Sequence, residues 1–362
     1  MKKTLLVLLV LLLSFSVFAN GAKEEAKSSK PTVAILTDAT GVDDKSFNAA
    51  AWRGIQQFYN NEGEGTLYRN ITAQSSDDYL PNLKNAAAQG YDLIITTGFT
   101  WGDAVAAFCA EYPNQKVIIV DVDYLPQTAN LIQYIYEEEQ GSYLVGVAAA
   151  MQAKHDGIAN PVFGFIGGVP GATITKFEIG YIEGIKSVFP DAKIVDYYAN
   201  SWGAPELAKT QAKSWFDSGV YCIFSAAGGT GGGTIAQAAE YRAAGKNVWA
   251  IGVDSDQYEE GLYGDKTKSA VLTSMLKMVE NSTIDALTKV ENGTFAGGVV
   301  KQNMSTEGVG YATTNAELCA EAKTACEAAK ADILSGKIVV NKTYAASKAA
   351  GLAPAGLGAI DD

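Results

Sequence analysis

Val33-Ala34-Ile35-Leu36-Thr37-Asp38 is a short apolar run that ends in an acid, and it leads through Asp43-Asp44-Lys45-Ser46-Phe47-Asn48 into a helical pattern from Ala49 to Phe58. A β-type run, a polar turn and an amphipathic helix form the first half of a parallel α/β unit. That geometry sets the turn at the carboxyl edge of a sheet, where open α/β folds bind ligands. Asp43 or Asp44 taken alone is a helix cap. Phe47 and Asn48 add an aromatic face and an amide at a solvent-facing helix start, which is poor capping chemistry and good pocket chemistry.

The same plan recurs along the chain. Gly90-Tyr91-Asp92-Leu93-Ile94-Ile95-Thr96-Thr97-Gly98, a helix and Val117-Ile118-Ile119-Val120-Asp121 are matched later by Gly219 to Gly228, a helix and Val248-Trp249-Ala250-Ile251-Gly252-Val253-Asp254. Continuous apolar strands alternating with helices indicate parallel sheets covered on both faces. The reading is an α/β chain of two doubly wound, Rossmann-like lobes with a hinge and a ligand cleft between them, the type I periplasmic-binding-protein fold. The helical stretch Ser142 to Lys154 leads out of the first lobe, and Pro161 to Ile166 begins the second. Ser269 to Thr273, followed by Ser274-Met275-Leu276-Lys277, is read as the return. The expected lobes are therefore 31–155 with 274–345, and 156–273.

Lys2-Lys3, an apolar run from Leu5 to Phe18, and Val17 and Ala19 spaced for cleavage make residues 1–19 a secretion signal. The run is too short for a bilayer span, which needs about 20 apolar residues. Residues 20–30 carry charged and small side chains with no apolar face and read as a flexible tether. A periplasmic or secreted monomer is expected. The four cysteines form no disulfide framework, and Cys319 and Cys326, seven residues apart on one predicted helix, lie about 10 Å apart, so free thiols are expected. A net charge of −12 disfavours nucleic acid, whose binding relies on Lys and Arg.

The hexapeptide Asp43 to Asn48 with Thr37-Asp38 and Ala51-Trp52-Arg53-Gly54 resembles the basic membrane protein family, the PnrA-like purine-nucleoside receptors of bacterial ABC importers. Gly141 to Ala150, Ala227-Gly228-Gly229-Thr230-Gly231, Ile251 to Tyr258 and Thr273 to Lys277 fit the same pattern in the same order. The resemblance implies a receptor that captures a purine nucleoside such as inosine, guanosine or adenosine and hands it to an ABC permease in the inner membrane, without a cofactor. Family members often carry a lipid-bearing Cys after the signal, but Asn20-Gly21-Ala22 stands there, so no lipid anchor is expected.

Nucleoside recognition needs aromatic faces for the base, polar groups for its edge, and partners for the sugar hydroxyls. Phe47 is the first stacking face, and the family's aromatic after a similar turn corresponds to Trp202 in Ala199-Asn200-Ser201-Trp202-Gly203. Asp38 and Asn48 can meet a base edge, and Asp121 ends another strand of the same lobe; Asp123 is a weaker candidate. Asp254, Lys277 and the backbone at Gly229 are assigned to the ribose, with Lys277 offsetting the carboxylate whose burial alone would be costly. Gln257 is read as a hinge or rim residue. The glycine run 228–233 lacks the Lys of a phosphate loop.

The residues admit other readings. A pentose or sugar receptor would need aromatic and Asp groups but gains nothing from Asp38 and Asn48. A nucleoside hydrolase would need clustered aspartates around a cation, which Asp43, Asp44, Asp121 and Asp254 imitate in sequence. A surface adhesin would bind through an outer face. No catalytic set is evident: His155, the only histidine, looks like an exposed helix end, and no His/Cys cluster at metal-ligand spacing is present.

Overall fold

The computed structural model describes residues 30–354 and Gly356. The expected signal segment and residues 20–29 of the tether lie outside the described residues. Lys30 is held by the first lobe, donating from Nζ to the Phe58 carbonyl at 2.6 Å.

In chain order the strands are β1 (Val33–Thr37), β2 (Tyr68–Thr72), β3 (Leu93–Thr97), β4 (Lys116–Val120), β5 (Leu131–Tyr136), β6 (Val162–Gly167), β7 (Lys193–Tyr198), β8 (Val220–Ala226), β9 (Trp249–Asp254), β10 (Leu262–Tyr263), β11 (Lys268–Ser269), β12 (Val271–Lys277), β13 (Gly298–Gln302) and β14 (Val309–Tyr311). Two six-stranded sheets result, ordered β13-β5-β4-β3-β1-β2 and β14-β12-β9-β8-β6-β7, with β10 and β11 forming a small separate ribbon. The order is that of the doubly wound fold. All ladder pairs in the two large sheets are parallel except β12 with β14.

Alternation along each strand explains the layering. Ile35, Ile95, Ile118 and Val120 point to one core, whereas Leu36, Ile94, Val117 and Ile119 point to another on the opposite face. In the second lobe Phe165, Phe224, Ile251 and Val253 join the first of these cores, while Ile166, Ile223 and Ala250 face their own outer cluster. Strands buried on both faces have no polar side to present, and this is why they read as continuous apolar runs.

The helix Glu138–His155 carries the chain from β5 to β6. Its residues Gly141 to Ala150 are buried all round, as a helix enclosed by both lobes must be. It crosses the helix Ala172–Val188 at backbone contact: a Cβ on Gly180 would stand 2.2 Å from the Glu139 carbonyl oxygen, and one on Gly184 would stand 2.1 Å from that of Tyr143.

The return crossing differs from expectation. Residues 274–277 continue β12, which pairs with β9 through Leu276↔Asp254, so the chain leaves the second sheet after Lys277. The helix Val279–Glu291 then leads to β13 in the first sheet, and the chain crosses again to β14 in the second. Assigning 274–345 wholly to the first lobe is thus corrected. Ser274 and Met275 extend the ladder begun at Val271, and a strand is not interrupted where its hydrogen bonding continues. The four cysteines are buried and free, but Cys319 is the N-cap of the helix Ala320–Leu334 rather than a residue inside it.

Candidate functional site

The carboxyl edges of the two sheets face each other across a cavity of about 570 Å³, counted out to the solvent at its mouth. Asp38, Phe47, Asn48, Asp121, Trp202, Asp254 and Lys277 all line it. Gly229 does not. The strand-to-helix turn Gly228–Gly231 is a short 3₁₀ segment that presents Gly228, with a left-handed φ of +55°, to the cavity instead. Gly229 is turned toward the Trp202 carbonyl, 3.3 Å from where its Cβ would lie. Asp123 lines an adjoining cavity of about 1020 Å³ that shares Phe99 and Asp121 with the cleft.

The turn before the helix Phe47–Phe58 is built on Asp44. Its carboxylate accepts from the backbone N–H groups of Ser46 (3.0 Å), Ala49 (2.9 Å) and Asn48 (2.9 Å), so Asp44 performs the capping role weighed for it. Burial raises its pKa, against the pull of these three donors. Asn48 is likewise committed. Its amide donates to Asp38 (3.2 Å) and Thr40 (3.0 Å), and its oxygen accepts from Thr97 at 2.6 Å. With both N–H donors engaged, Asn48 retains one oxygen lone pair for a ligand and otherwise holds Asp38 in position.

Asp121 follows β4, and Asp254 ends β9, the corresponding strand of the second sheet. Both adopt the left-handed region, with φ of 72° and 62°, a conformation uncommon outside Gly, Asn and Asp and concentrated at functional sites. Lys277, at the end of β12, joins the two lobes: its Nζ lies 2.5 Å from Asp121 and 2.9 Å from Glu138, with only 1% of its side chain exposed. Lys176 meets the other oxygen of Glu138 at 2.5 Å. The ammonium stands 4.9 Å above the Phe47 ring and 5.5 Å above that of Phe177, a favourable cation–π position. Burial would pull the Lys277 pKa down, but Asp121, Glu138 and Asp254 together raise it, and the group stays cationic. Burial raises the Asp121 carboxyl against the opposing charge of Lys277. Asp254, desolvated and opposed by Lys277 and the Ser46 hydroxyl, is pushed up to about 7.

Phe99, Ile174 and Phe177 complete the apolar wall and were not singled out from the sequence. Phe99 follows the Thr97-Gly98 strand end, a position that the repeat had already marked as cleft-facing; Phe177 lies inside a helix and carried no local signal. Trp202 meets Phe99 edge to face at 6.0 Å. Its ring covers Gly168, where a Cβ would lie 2.2 Å from Trp202 Cζ3.

Side-chain hydrogen bonds bridge the lobes. Ser46 Oγ donates to Asp254 at 2.5 Å, Arg53 donates to Ser255 Oγ at 2.9 Å, and Gln257 donates from its amide to the Lys45 carbonyl at 3.0 Å. The cleft is therefore in a closed arrangement, and Gln257, read from the sequence as a hinge or rim residue, is buried and bridges the lobes without lining the cavity. Among the described residues, a His/Cys/carboxylate group with donors close enough to share an ion is His155, Cys319 and Glu321, outside this cleft. No described helix is long and apolar enough to cross a membrane.

A family model described as "ABC transporter substrate-binding protein PnrA-like" matches residues 30–344. The chain is 36% identical over 355 residues to the "ABC transporter nucleoside-binding protein BmpA" of Lactococcus lactis, covering 94% of this chain and 99% of that one. It is 37% identical over 324 residues to a "CD4+ T-cell-stimulating antigen" of Listeria innocua, covering 87% and 89%. A solved solute-binding protein of an ABC transporter system from Aeropyrum pernix K1 superposes with a TM-score of 0.77 at 23% identity, over 88% of this chain and 96% of that one.

Proposed function

Because the chain belongs to the PnrA-like family of ABC transporter substrate-binding proteins, we propose that its cleft captures a purine nucleoside and that the closed protein delivers it to an ABC permease of the inner membrane. The chain is an extracytoplasmic solute-binding protein and not an enzyme. We read it as a monomer.

The carrying observation is the charge arrangement of the cleft. Among the described residues its one basic lining side chain, Lys277, is already engaged by Asp121 and Glu138, while Asp38, Asp44, Asp121 and Asp254 also line it. Such a site repels a phosphate and offers acceptors to hydroxyls, which favours a neutral, hydroxyl-bearing ligand over a nucleotide. Asp254 accepts the ribose hydroxyls and Lys277 offsets its charge, the Gly228–Gly229 turn lies beside the sugar, Phe47 and Trp202 sandwich the base, and Asp38, steadied by Asn48, meets the base edge. Stacking on an aromatic contributes about 1–3 kcal/mol per base. The named nucleoside-binding relative supports the same ligand class.

Calorimetric titration of protein unfolded and refolded to strip carried ligand, using purine and pyrimidine nucleosides, ribose and free bases, tests the reading. Submicromolar binding of an intact purine nucleoside, recovered unchanged, is expected. Binding of ribose alone, or cleavage of the glycosidic bond, overturns it.

A further inference from the structure

We infer that His155, Cys319 and Glu321 form a binding site for a divalent transition-metal ion of zinc type, at the junction of the interlobe helix and the helix Ala320–Leu334. The donor atoms His155 Nδ1 or Nε2, Cys319 Sγ and a Glu321 oxygen all lie within 4.8 Å of one another. His155 Nδ1 and Glu321 Oε2 are 3.5 Å apart, long for a hydrogen bond and close to the edge of a tetrahedron around an ion with bonds of about 2.0–2.3 Å. Thiolate, imidazole and carboxylate together favour zinc over calcium or magnesium, which take oxygen ligands.

The scaffold under the donors is fixed from both sides. Gln152 Oε1 accepts from the Cys319 N–H at 2.8 Å, and Cys326 Sγ donates to the Leu144 carbonyl at 3.3 Å, pinning the second helix to the first. Asp156, next to His155, accepts from Tyr221 and Asn247, each at 2.8 Å. The donors therefore need only side-chain rotation to converge. His155 and Glu321 have side chains 51% and 63% exposed, which gives the ion a path in and leaves a fourth position for water. Cys319 is buried, which raises its thiol pKa, and its Sγ, at the helix N-cap, accepts from the Ala322 N–H; a bound cation supplies the positive charge that a thiolate needs there. On binding, the Cys319 thiol loses its proton to solvent as the Sγ–metal bond forms, one proton per ion, while His155 binds as neutral imidazole.

None of the three side chains lines the nucleoside cleft, so the inference stands apart from the ligand proposal. The test titrates Zn²⁺ into the protein purified without a histidine tag, and repeats the experiment with Co²⁺ to read the thiolate-to-cobalt charge-transfer absorbance. A stoichiometry of one, a charge-transfer band abolished by Cys319→Ser, and affinity weakened at least about tenfold by His155→Ala are expected. His155→Ala alters a half-exposed side chain and keeps the fold, so its result is readable even where Cys319→Ser is destabilised. Absence of the cobalt–thiolate band in the unaltered protein, or Zn²⁺ affinity unchanged in His155→Ala, overturns the inference.

Discussion

Replacing Lys277 by Met keeps most of the stem among Phe47, Tyr136 and Phe177 and deletes the charge that the cleft is built around. Glu138 retains Lys176 at 2.5 Å, so the group left without a counter-charge is Asp121, whose partner at 2.5 Å is gone. A buried carboxylate in that position protonates instead of remaining charged. From the ordinary Asp value of 3.8, protonation at pH 7.5 costs about 5 kcal/mol at 1.36 kcal/mol per pH unit, which bounds the loss from above. Breaking a buried pair typically costs about 3–5 kcal/mol. The sign with pH follows. Burial already raises Asp121 beside Lys277, and losing that ammonium raises it further, so the variant's folded form holds a proton that the parent releases; the deficit is absent below the parent's folded-state pKa and grows as pH rises toward the variant's. Urea unfolding of both proteins between pH 5 and 8 should show a loss of about 3–5 kcal/mol at pH 7.5 that shrinks to below about 2 kcal/mol at pH 5. Adding Asp121→Asn to the variant should recover most of the loss at pH 7.5. A pH-independent deficit, or one under about 1 kcal/mol at pH 7.5, would refute the reasoning.

Trp202→Ala should weaken nucleoside binding by about 1–3 kcal/mol with the thermal midpoint preserved, and Phe47→Ala should do the same; titration calorimetry showing unchanged affinity in both sinks the stacking assignment. Gly168→Ala, which touches no ligand, should lower affinity by displacing the Trp202 ring from 2.2 Å, and a crystal structure of the variant should show the ring moved. With Asp254 held near 7 in the closed cleft, a ligand whose hydroxyls require the carboxylate releases a proton on binding, so affinity should fall up to about tenfold per pH unit below pH 7 and level off above it; a flat profile across pH 5.5–8 contradicts the ribose role.

The sequence carried the architecture because its signals are local and repeated. Apolar strands, turn residues and helical periodicity recur twice in one order, and the strands of the repeat run out at Gly98, Asp121, Gly228 and Asp254, so the cleft-facing edge was legible from Asp38, Asp121 and Asp254. The αL backbone at Asp121 and Asp254 agrees with that reading, since Asp tolerates the conformation at a strand end. Asn48 shows the limit. A short amide at a helix start was legible as polar pocket chemistry, but its commitment to Asp38, Thr40 and Thr97 depends on two other stretches of chain, the turn after β1 and the end of β3.

Sequence by itself determined the doubly wound lobes, their shared cavity-facing edge and seven of the side chains that line it, because the period of the apolar pattern and the strand-to-helix turns depend only on neighbours in the chain. Tertiary structure alone decided that β12 stays in the second sheet through Lys277, that Glu138 and Lys176 complete the buried charge network, that Phe99 and Phe177 close the aromatic wall, that Gly228 rather than Gly229 faces the cavity, and that His155 meets Cys319 across 164 positions. The physical reason is common to all of them: a buried charge, a ring wall or a metal-type cluster is satisfied by whatever packing brings within a few ångströms, and spacing along the chain does not encode that distance.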